Sequence, residues 1–150
     1  MADVQQLCTF SVDGLLLGVE VEKVQEVIRH LASTRVPLAH PVVRGLINLR
    51  GQIVTAVDLR RRLELPDRPA DVAALNVVIR TDDGTVSLLV DEIGDVIEVS
   101  EETFERPPDT VRGVTRELIR GVYKLKGRLL LVLDTIKTVR IGAADVEQAA

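Results

Sequence analysis

Apolar and polar residues change over at short intervals in this chain, and the pattern predicts strands joined by tight turns. Residues 7–12 and 15–21 are apolar-rich, and Asp13 and Gly14 separate them. An Asp-Gly pair between two apolar runs is a strong short-range signal of a β-hairpin. The chain therefore begins with a predicted strand, turn and strand.

A second predicted hairpin spans residues 46–59 and turns at Arg50 and Gly51. Glycine permits the positive φ that such a turn requires. Asp58 closes this hairpin, and its carboxylate can accept hydrogen bonds from the free N–H groups of a following helical turn. We therefore predict a short helix at residues 59–63.

The second half of the chain repeats this order. Residues 119–135 align with residues 43–59, and residues 88–97 align with residues 19–28. In the first alignment five pairs are identical: Arg44/Arg120, Gly45/Gly121, Leu49/Leu125, Gly51/Gly127 and Asp58/Asp134. A long repeat that occurs only twice predicts a duplicated lobe with a pseudo-twofold axis, because a solenoid needs three or more units.

The repeat also resolves an ambiguity. The apolar spacing after residue 20 suits an amphipathic helix as well as a strand. The second copy carries Gly94 in the middle of this segment, and glycine costs a helix interior about 1 kcal/mol relative to alanine. We therefore predict a short helical turn followed by a strand in both copies. Asp134 predicts a second capped helix at residues 135–139.

Each half is too small to be an independent domain. Half of a 150-residue chain would be marginally stable alone, so we expect one domain at residues 7–140 with two interdependent lobes. The pattern places the first lobe at about 7–64, a linker at about 65–75 and the second lobe at about 76–140, and terminal segments can cross between the lobes. Residues 141–150 have little to pack and are predicted to form a flexible tail.

Composition narrows the class of protein. Hydrophobic residues make up 46% of the chain and aromatic residues only 2%, so the core must consist of Val, Leu and Ile. A formal net charge of −4 argues against nucleic acid as the main partner. Cys8 is the single cysteine and cannot form an internal disulfide, which fits a reducing compartment. With no membrane span and no signal peptide at the start, the sequence indicates a cytosolic protein.

The sequence offers no evident catalytic, metal or cofactor motif. His30 and His40 lack the Cys or carboxylate spacing of a zinc site. No serine stands in a G-x-S-x-G elbow, and no glycine-rich loop could cradle a phosphate. Such a strand-rich chain is more typical of a scaffold, in which the groove between the lobes could hold a partner helix.

Two acidic arrangements leave an enzyme as an alternative. Asp91, Glu92 and Asp95 form a cluster that an acid-base or metal-dependent enzyme could use, but a solvated face explains it better. Asp58 and Asp134 could form a carboxylate pair as in aspartic proteases, but helix capping explains both.

Two blocks of the sequence resemble the CheW-like family of chemotaxis coupling proteins, namely Lys23-Val24-Gln25-Glu26 and Asn48-Leu49-Arg50-Gly51. The likeness covers roughly residues 7–140, although Thr55 stands where the family usually has proline. It implies a mainly β fold with two SH3-like five-stranded β-barrel lobes, related by a pseudo-twofold, that share a core and carry a short helix after each second hairpin. It also implies no enzymatic activity and no cofactor.

The resemblance further implies two partners: the regulatory domain of the histidine kinase CheA and the cytoplasmic tip of chemoreceptors. It places the receptor helix in the groove between the lobes, and the matching positions of this chain are Val21, Val24, Glu26, Gly45, Arg50, Gly51, Ile93 and Val96. It places the kinase at the exposed end of the first barrel, for which Ile53 is the marker.

Several of these positions have a structural explanation as well. Glu26 and Arg50 can form a charge-assisted hydrogen bond that fixes one hairpin against the other, so the pair is structural, functional or both. Gly45 and Gly51 either serve backbone geometry alone or also let a partner helix approach closely. Val24 and Val96 line either the core or the groove.

The sequence thus predicts a non-enzymatic adaptor that couples chemoreceptors to CheA. The nearest alternative is a CheW-like accessory protein that binds only one of these partners in a non-motility pathway. A small-molecule enzyme and a nucleic-acid-binding barrel are the more distant alternatives. We expect the adaptor to be cytoplasmic and recruited to membrane-associated receptor arrays without inserting into the membrane.

Overall fold

The structure, a computed structural model, describes residues 3–29, 31, 33–37, 39–82 and 84–140. His30 and the predicted tail at residues 141–150 lie outside these ranges. The strands are β1 (Val4–Val12), β2 (Leu15–Glu20), β3 (Val24–Ile28), β4 (Ser33–Thr34), β5 (Val43–Leu49), β6 (Gln52–Asp58), β7 (Leu75–Thr81), β8 (Gly84–Val90), β9 (Glu92–Ser100), β10 (Ile119–Leu125) and β11 (Arg128–Leu133). The helices are α1 (Leu59–Arg62), α2 (Gly113–Leu118) and α3 (Thr135–Val139), with 3₁₀ turns at Val21–Lys23 and Glu101–Thr103. The predicted mainly β class is confirmed.

The strands form two sheets, and each sheet draws on both halves of the sequence. The first sheet has the order β10-β11-β2-β1-β9, and the second has the order β3-β7-β8-β6-β5-β4. The hairpin β1–β2 therefore joins strands of the second half, and the hairpin β7–β8 joins strands of the first half. The contiguous ranges 7–64 and 76–140 therefore each contain strands of both sheets. The alignment of the repeats could not predict this exchange, because it does not show which copy a hairpin pairs with.

The same strand pairings recur in both sheets, as a pseudo-twofold relation requires. β11 pairs with β2 in parallel, with Leu131 opposite Leu17. β6 pairs with β8 in parallel, with Val57 opposite Leu88. The other pairs of neighbouring strands are antiparallel.

Each sheet curls around its own apolar interior. In the second sheet Glu26 of β3 hydrogen-bonds Arg50 at the β5–β6 turn, although β7, β8 and β6 lie between β3 and β5. In a flat sheet those two strands would be roughly 19 Å apart at about 4.8 Å per strand. In the first sheet Val99 of β9 and Tyr123 of β10 come from opposite edges and pack in one buried cluster. Both sheets are therefore strongly bent.

A further apolar cluster joins the two sheets. Phe10, Leu17, Val57, Leu88 and Leu133 belong to it, and each is at most 3% exposed. Full burial of such a side chain stabilises a fold by about 1.5–3 kcal/mol. Because the cluster takes side chains from both sheets, neither sheet has a complete core by itself. The core consists mainly of Val, Leu and Ile, as predicted, and Phe10 and Tyr123 are also buried in it.

Both predicted helix caps are present. Asp58 Oδ1 accepts a hydrogen bond from the Arg60 N–H at 3.1 Å, at the start of α1. Asp134 Oδ1 accepts one from the Lys137 N–H at 3.0 Å, at the start of α3. The capping explanation of these two carboxylates is therefore confirmed.

The predicted helical turn before a strand occurs in only one copy. In the first copy the 3₁₀ turn Val21–Lys23 precedes β3. In the second copy the prediction is wrong, since β9 begins at Glu92 directly after Asp91. The reason is strand pairing: Glu92 already lies opposite Ser11 of β1.

Candidate partner-binding surfaces

The charged pair expected from the sequence is formed at the surface. Arg50 Nη1 and Nη2 donate hydrogen bonds to Glu26 Oε1 and Oε2, both at 2.7 Å. Two parallel bonds between a guanidinium and a carboxylate are stronger and more directional than single ones. The side chain of Arg50 is 74% exposed and that of Glu26 is 19% exposed. The pair ties the β5–β6 turn to β3 and leaves one face of Arg50 open to solvent.

The pair perturbs the pKa of both groups. The hydrogen bonds from Arg50 hold the pKa of the Glu26 carboxyl below its usual value, although partial desolvation opposes them. Glu26 in turn raises the pKa of Arg50, first by the hydrogen bond and then by its charge. Both groups therefore stay charged at neutral pH. Because solvent screens such an exposed pair, its contribution to stability is small.

The backbone of the β5–β6 turn holds Arg50 in an unusual conformation. Arg50 has a φ of 53° and Gly51 a φ of 87°. Positive φ is uncommon for a residue with a side chain, and such strain clusters at functional sites. Gly51 donates its N–H to Asn48 Oδ1 at 2.8 Å, which closes the turn. A Cβ on Gly51 would meet nothing within 4 Å, so this glycine is required by its φ and not by packing.

A groove runs between the edge strands β3 and β9, which belong to different sheets. It contains a cavity of about 420 Å³ lined by Val27, Arg29, Leu75, Glu92 and Ile93. Val27 is 43% exposed and Ile93 39% exposed. Exposed apolar side chains that share a concave surface are typical of a protein contact. Ile93 was in the set predicted from the sequence, and Val27 was not.

The other apolar positions of the predicted receptor set differ in accessibility. Val96 is 57% exposed on β9. Val24 is partly buried and packs against the cluster that joins the two sheets. Val21 lines a separate cavity of about 420 Å³ together with Glu20 and Glu98. Val96 is therefore a surface residue, whereas Val24 contributes to the core.

Gly45 is buried and packed against β4. A Cβ at this position would lie 2.5 Å from the carbonyl oxygen of Thr34, and the φ of Gly45 is 157°. The pairing register of β5 and β6 shifts between Val43 and Gly45, as in a β-bulge. The close approach of β4 explains the glycine without a partner.

Ile53, the predicted marker of the kinase surface, is 61% exposed on β6. It lies opposite Asn48 of β5, next to the turn that carries Arg50. A single exposed isoleucine is common on protein surfaces. The structure therefore places Ile53 at the surface beside this turn.

The structure reveals a charged network that the sequence analysis did not find. Asp91 accepts hydrogen bonds from Arg60 Nη2 at 2.6 Å, from Arg68 Nε at 2.7 Å and from the backbone N–H of Asp13 at 2.7 Å. The Asp91 side chain is only 12% exposed, so its interpretation as part of a solvated acidic face is wrong. Asp91 lies where the chain passes from β8 to β9, and it therefore ties the two sheets and the linker together.

Arginine contacts lower the pKa of Asp91 strongly. Burial raises the pKa of this carboxyl, but the hydrogen bonds from Arg60, from the backbone of Asp13 and from Arg68 outweigh burial and lower it to about 2. In the sequence, the run of arginines that begins at Arg60 was the signal of this charged network. Periodicity alone could not show that these arginines meet a carboxylate from the other half.

The other crossing between the sheets also carries a buried carboxylate. Glu20, at the end of β2, is 3% exposed and accepts a hydrogen bond from Arg120 Nη1 at 2.6 Å. Lys23 Nζ lies 3.4 Å from the second carboxylate oxygen. Each passage of the chain from one sheet to the other is thus held by an ion pair between the two halves.

The described residues contain no group of three or more His, Cys, Asp or Glu side chains that could hold a metal ion. No helix within the described ranges is long and apolar enough to cross a membrane.

Comparison with known proteins identifies the class of this fold. The family model of the CheW-like domain matches residues 6–141, and the chain belongs to this family. A chemotaxis protein CheW of Bacillus subtilis is 34% identical over 130 residues, which cover 87% of this chain and 83% of the relative. A chemotaxis protein CheW of Treponema pallidum is 29% identical and covers 88% of this chain and 80% of the relative.

A solved structure agrees with the fold described above. The crystal structure of the scaffolding protein TtCheW from Thermoanaerobacter tengcongensis superimposes with a TM-score of 0.83 and covers 95% of each chain at 23% sequence identity. At this identity the likeness shows the fold alone.

Proposed function

We propose that this protein is a non-enzymatic adaptor of bacterial chemotaxis-type signalling, which couples chemoreceptors to the histidine kinase CheA. Membership of the CheW-like family over residues 6–141 is the observation that carries the proposal. Relatives at 34% and 29% identity are named chemotaxis protein CheW. The adaptor would act in the cytoplasm and be recruited to membrane-associated receptor arrays by its partners.

The receptor surface that we propose is the groove between β3 and β9 together with the adjacent β5–β6 turn. Ile93 lines this groove, and Val96 is an exposed apolar residue on the same strand. Arg50 and Gly51 form the rigid turn, and Glu26 holds Arg50 in place. An apolar helix face would cover the valine and isoleucine side chains by helix-in-groove docking.

Three further positions of the receptor set support this surface from behind. Val24 packs against the core, Gly45 allows β4 to approach β5, and Val21 begins the 3₁₀ turn before β3. We propose that they act through the shape of the groove. The kinase surface that we propose is the exposed part of β6 at Ile53.

Binding of the purified chain to the CheA regulatory domain and to a chemoreceptor tip fragment tests the proposal. Ile53→Asp is expected to weaken kinase binding at least about tenfold and to leave receptor binding unchanged, because a charge replaces a buried apolar contact of the interface. Ile136→Asp is the matched control, since Ile136 is 47% exposed on α3, outside the proposed surfaces.

Ile93→Asp is expected to have the opposite selectivity, with receptor binding weakened about tenfold and kinase binding retained. Val72→Asp is its control, because Val72 is 42% exposed in the linker. Failure of the unaltered chain to bind the kinase domain would exclude the coupling role. Binding to only one partner would favour the accessory-protein alternative.

A further inference from the structure

A cavity of about 750 Å³ lies beside the segment that leads into β5, and the coupling role does not use it. Three arginines line it from three separate elements: Arg35 follows β4, Arg44 lies on β5 and Arg61 lies on α1. His40 also lines it. The described residues that line the cavity include no Asp or Glu. The chain as a whole has a formal net charge of −4, so these three arginines form a positive region on a protein that is negative overall.

Among the described residues, no carboxylate lies within hydrogen-bonding distance of the Arg35 or Arg44 guanidinium group. Arg44 Nη1 lies 3.9 Å from Asp58 Oδ2, and Asp58 is shared with Arg68 at the same distance. Within the described part of the chain, Arg35 forms no salt bridge, and it is exposed. The positive charge of Arg35 and Arg44 is therefore available to a ligand.

The third arginine is held in position. Arg61 Nη1 donates to the carbonyl oxygen of Pro41 at 2.9 Å, and its Nε donates to Asp67 Oδ1 at 3.0 Å. The Val43 N–H donates to the carbonyl oxygen of His40 at 2.8 Å, which shapes the cavity wall. Arg61 Nη2 also donates to Asp67 Oδ2 at 3.3 Å, so Asp67 balances the charge of Arg61. Arg61 therefore forms a fixed wall of the cavity, and Arg35 and Arg44 supply the charge that a ligand would meet.

The second half of the chain shows the alternative fate of the same position. Arg44 and Arg120 are equivalent in the repeat, and both lie on the first strand of their hairpin. Arg120 donates to the buried Glu20 at 2.6 Å, so its charge is paired with a carboxylate although its side chain is 49% exposed. Among the described residues, the carboxylate that faces Arg44 is that of Asp58, at 3.9 Å, so the two arginines differ in pairing and not in exposure. The fold can therefore pair the arginine at this position with a close carboxylate, as it does for Arg120. In the first half the charge of Arg44 stays available to a ligand.

We propose that the cavity bounded by Arg35, Arg44 and Arg61 binds a small, water-soluble anion that carries phosphate groups. Guanidinium groups match phosphate oxygens by paired, charge-assisted hydrogen bonds. A cavity of this size lies within the range of small-molecule sites. The site is distinct from the proposed receptor and kinase surfaces and does not depend on the coupling role.

Isothermal titration of inorganic pyrophosphate into the full chain at low ionic strength tests the proposal. The unaltered protein is expected to bind it, and affinity is expected to fall with added salt. The double variant Arg35→Gln and Arg44→Gln is expected to bind at least about tenfold more weakly, because each lost charge-assisted bond has that order of effect. Both side chains are exposed, so the variant should keep its fold, which circular dichroism checks.

Arg80→Gln is the matched control, since Arg80 is an exposed arginine on β7, and two strands of the sheet lie between β7 and β5. It should bind pyrophosphate as the unaltered protein does. Absence of heat, equal binding by the double variant or an equal loss with Arg80→Gln would each overturn the proposal. Arginine-dependent binding to vesicles of anionic phospholipid without binding of pyrophosphate would also overturn it, in favour of a membrane surface.

Discussion

The two copies of the second hairpin, β5–β6 and β10–β11, are alike at their bases and different at their tips. At each base a glycine allows another segment to approach: Thr34 lies over Gly45, and Glu105 lies over Gly121. In each copy the backbone N–H of the capping aspartate donates to a carbonyl oxygen before the hairpin, at 2.7 Å in both cases. The shared base is therefore a property of the fold.

The tips have diverged. In the first turn Arg50 and Gly51 both have a positive φ. In the second turn Gly127 has a positive φ and Lys126 does not. Arg50 forms a two-bond ion pair with Glu26, and the equivalent position is Lys126. Features common to both copies therefore stabilise the fold, and features of one copy alone are the candidates for partner binding.

The largest effect is expected at the crossing between the sheets. Asp91→Asn removes the charge that Arg60 and Arg68 face and leaves them with the more distant Asp13 and Asp58, at 3.7 and 3.9 Å. Removing one partner of a largely buried ion pair costs about 3 kcal/mol or more. Urea unfolding at neutral pH measures this loss. Glu92→Gln is the control, because Glu92 is the exposed first residue of β9, next to Asp91, and should change stability little.

The same carboxylate should make stability depend on acid. The pKa of Asp91 is about 2 in the folded protein and 3.8 ordinarily, so the folded state binds this proton less readily than the unfolded chain. The part of its contribution that depends on protonation, about 2 kcal/mol, is present above pH 4 and is lost as pH falls towards 2. The difference between the unaltered protein and Asp91→Asn should shrink over that interval. A constant difference would contradict the role of the Asp91 charge.

The second effect concerns the shared base of the hairpins. In Gly45→Ala and in Gly121→Ala the new Cβ would lie 2.5 Å from a backbone oxygen, of Thr34 and Glu105 respectively. Overpacking of this kind costs about 2 kcal/mol, so both variants should lose similar stability in urea unfolding. In Gly127→Ala nothing lies within 4 Å of the new Cβ, and only its φ is strained, at about 1 kcal/mol. A large loss of stability in only one of the two variants would show that the bases of the two hairpins are not equivalent.

The third effect concerns the helix caps. Asp134→Ala should destabilise the protein by about 1 kcal/mol, the usual effect of losing an N-cap. Asp58→Ala should cost more, because Asp58 also lies within 4.0 Å of Arg44 and Arg68. Thermal unfolding of the two variants side by side checks the order. Equal losses would show that the arginines near Asp58 contribute nothing.

The smallest effect on stability is expected at the tips, where the functional difference should be largest. Arg50→Ala removes an exposed ion pair, so the unfolding midpoint should barely move. Receptor binding should fall in Arg50→Ala and persist in Lys126→Ala, the equivalent change in the second copy. A clear loss of stability in Arg50→Ala would instead make the pair structural.

Local features of the fold could be predicted from the sequence, whereas long-range partners could not. The hairpin turn at Asp13 and Gly14 and the caps at Asp58 and Asp134 depend on neighbouring residues, and the structure contains all of them. The exchange of hairpins between the sheets depends on which copy a strand pairs with, and both copies have similar apolar patterns.

The same distinction applies to the candidate site. The Glu26–Arg50 pair could be predicted because opposite charges stood in two recognisable blocks of the sequence. Val27 was missed because an apolar residue on an edge strand looks the same in sequence whether it faces the core or the groove. The Asp91 network was missed because its partners come from the other half of the chain.

The exchange of hairpins has a consequence for biosynthesis. The β1–β2 hairpin leaves the ribosome first, yet Gly18 of β2 meets its parallel neighbour only at Val132 of β11. Domains ordinarily begin to fold from the N-terminus while the rest is being made. In this protein β2 lacks its parallel neighbour until β11 has been synthesised. Folding of the first sheet is therefore completed only after translation has passed β11.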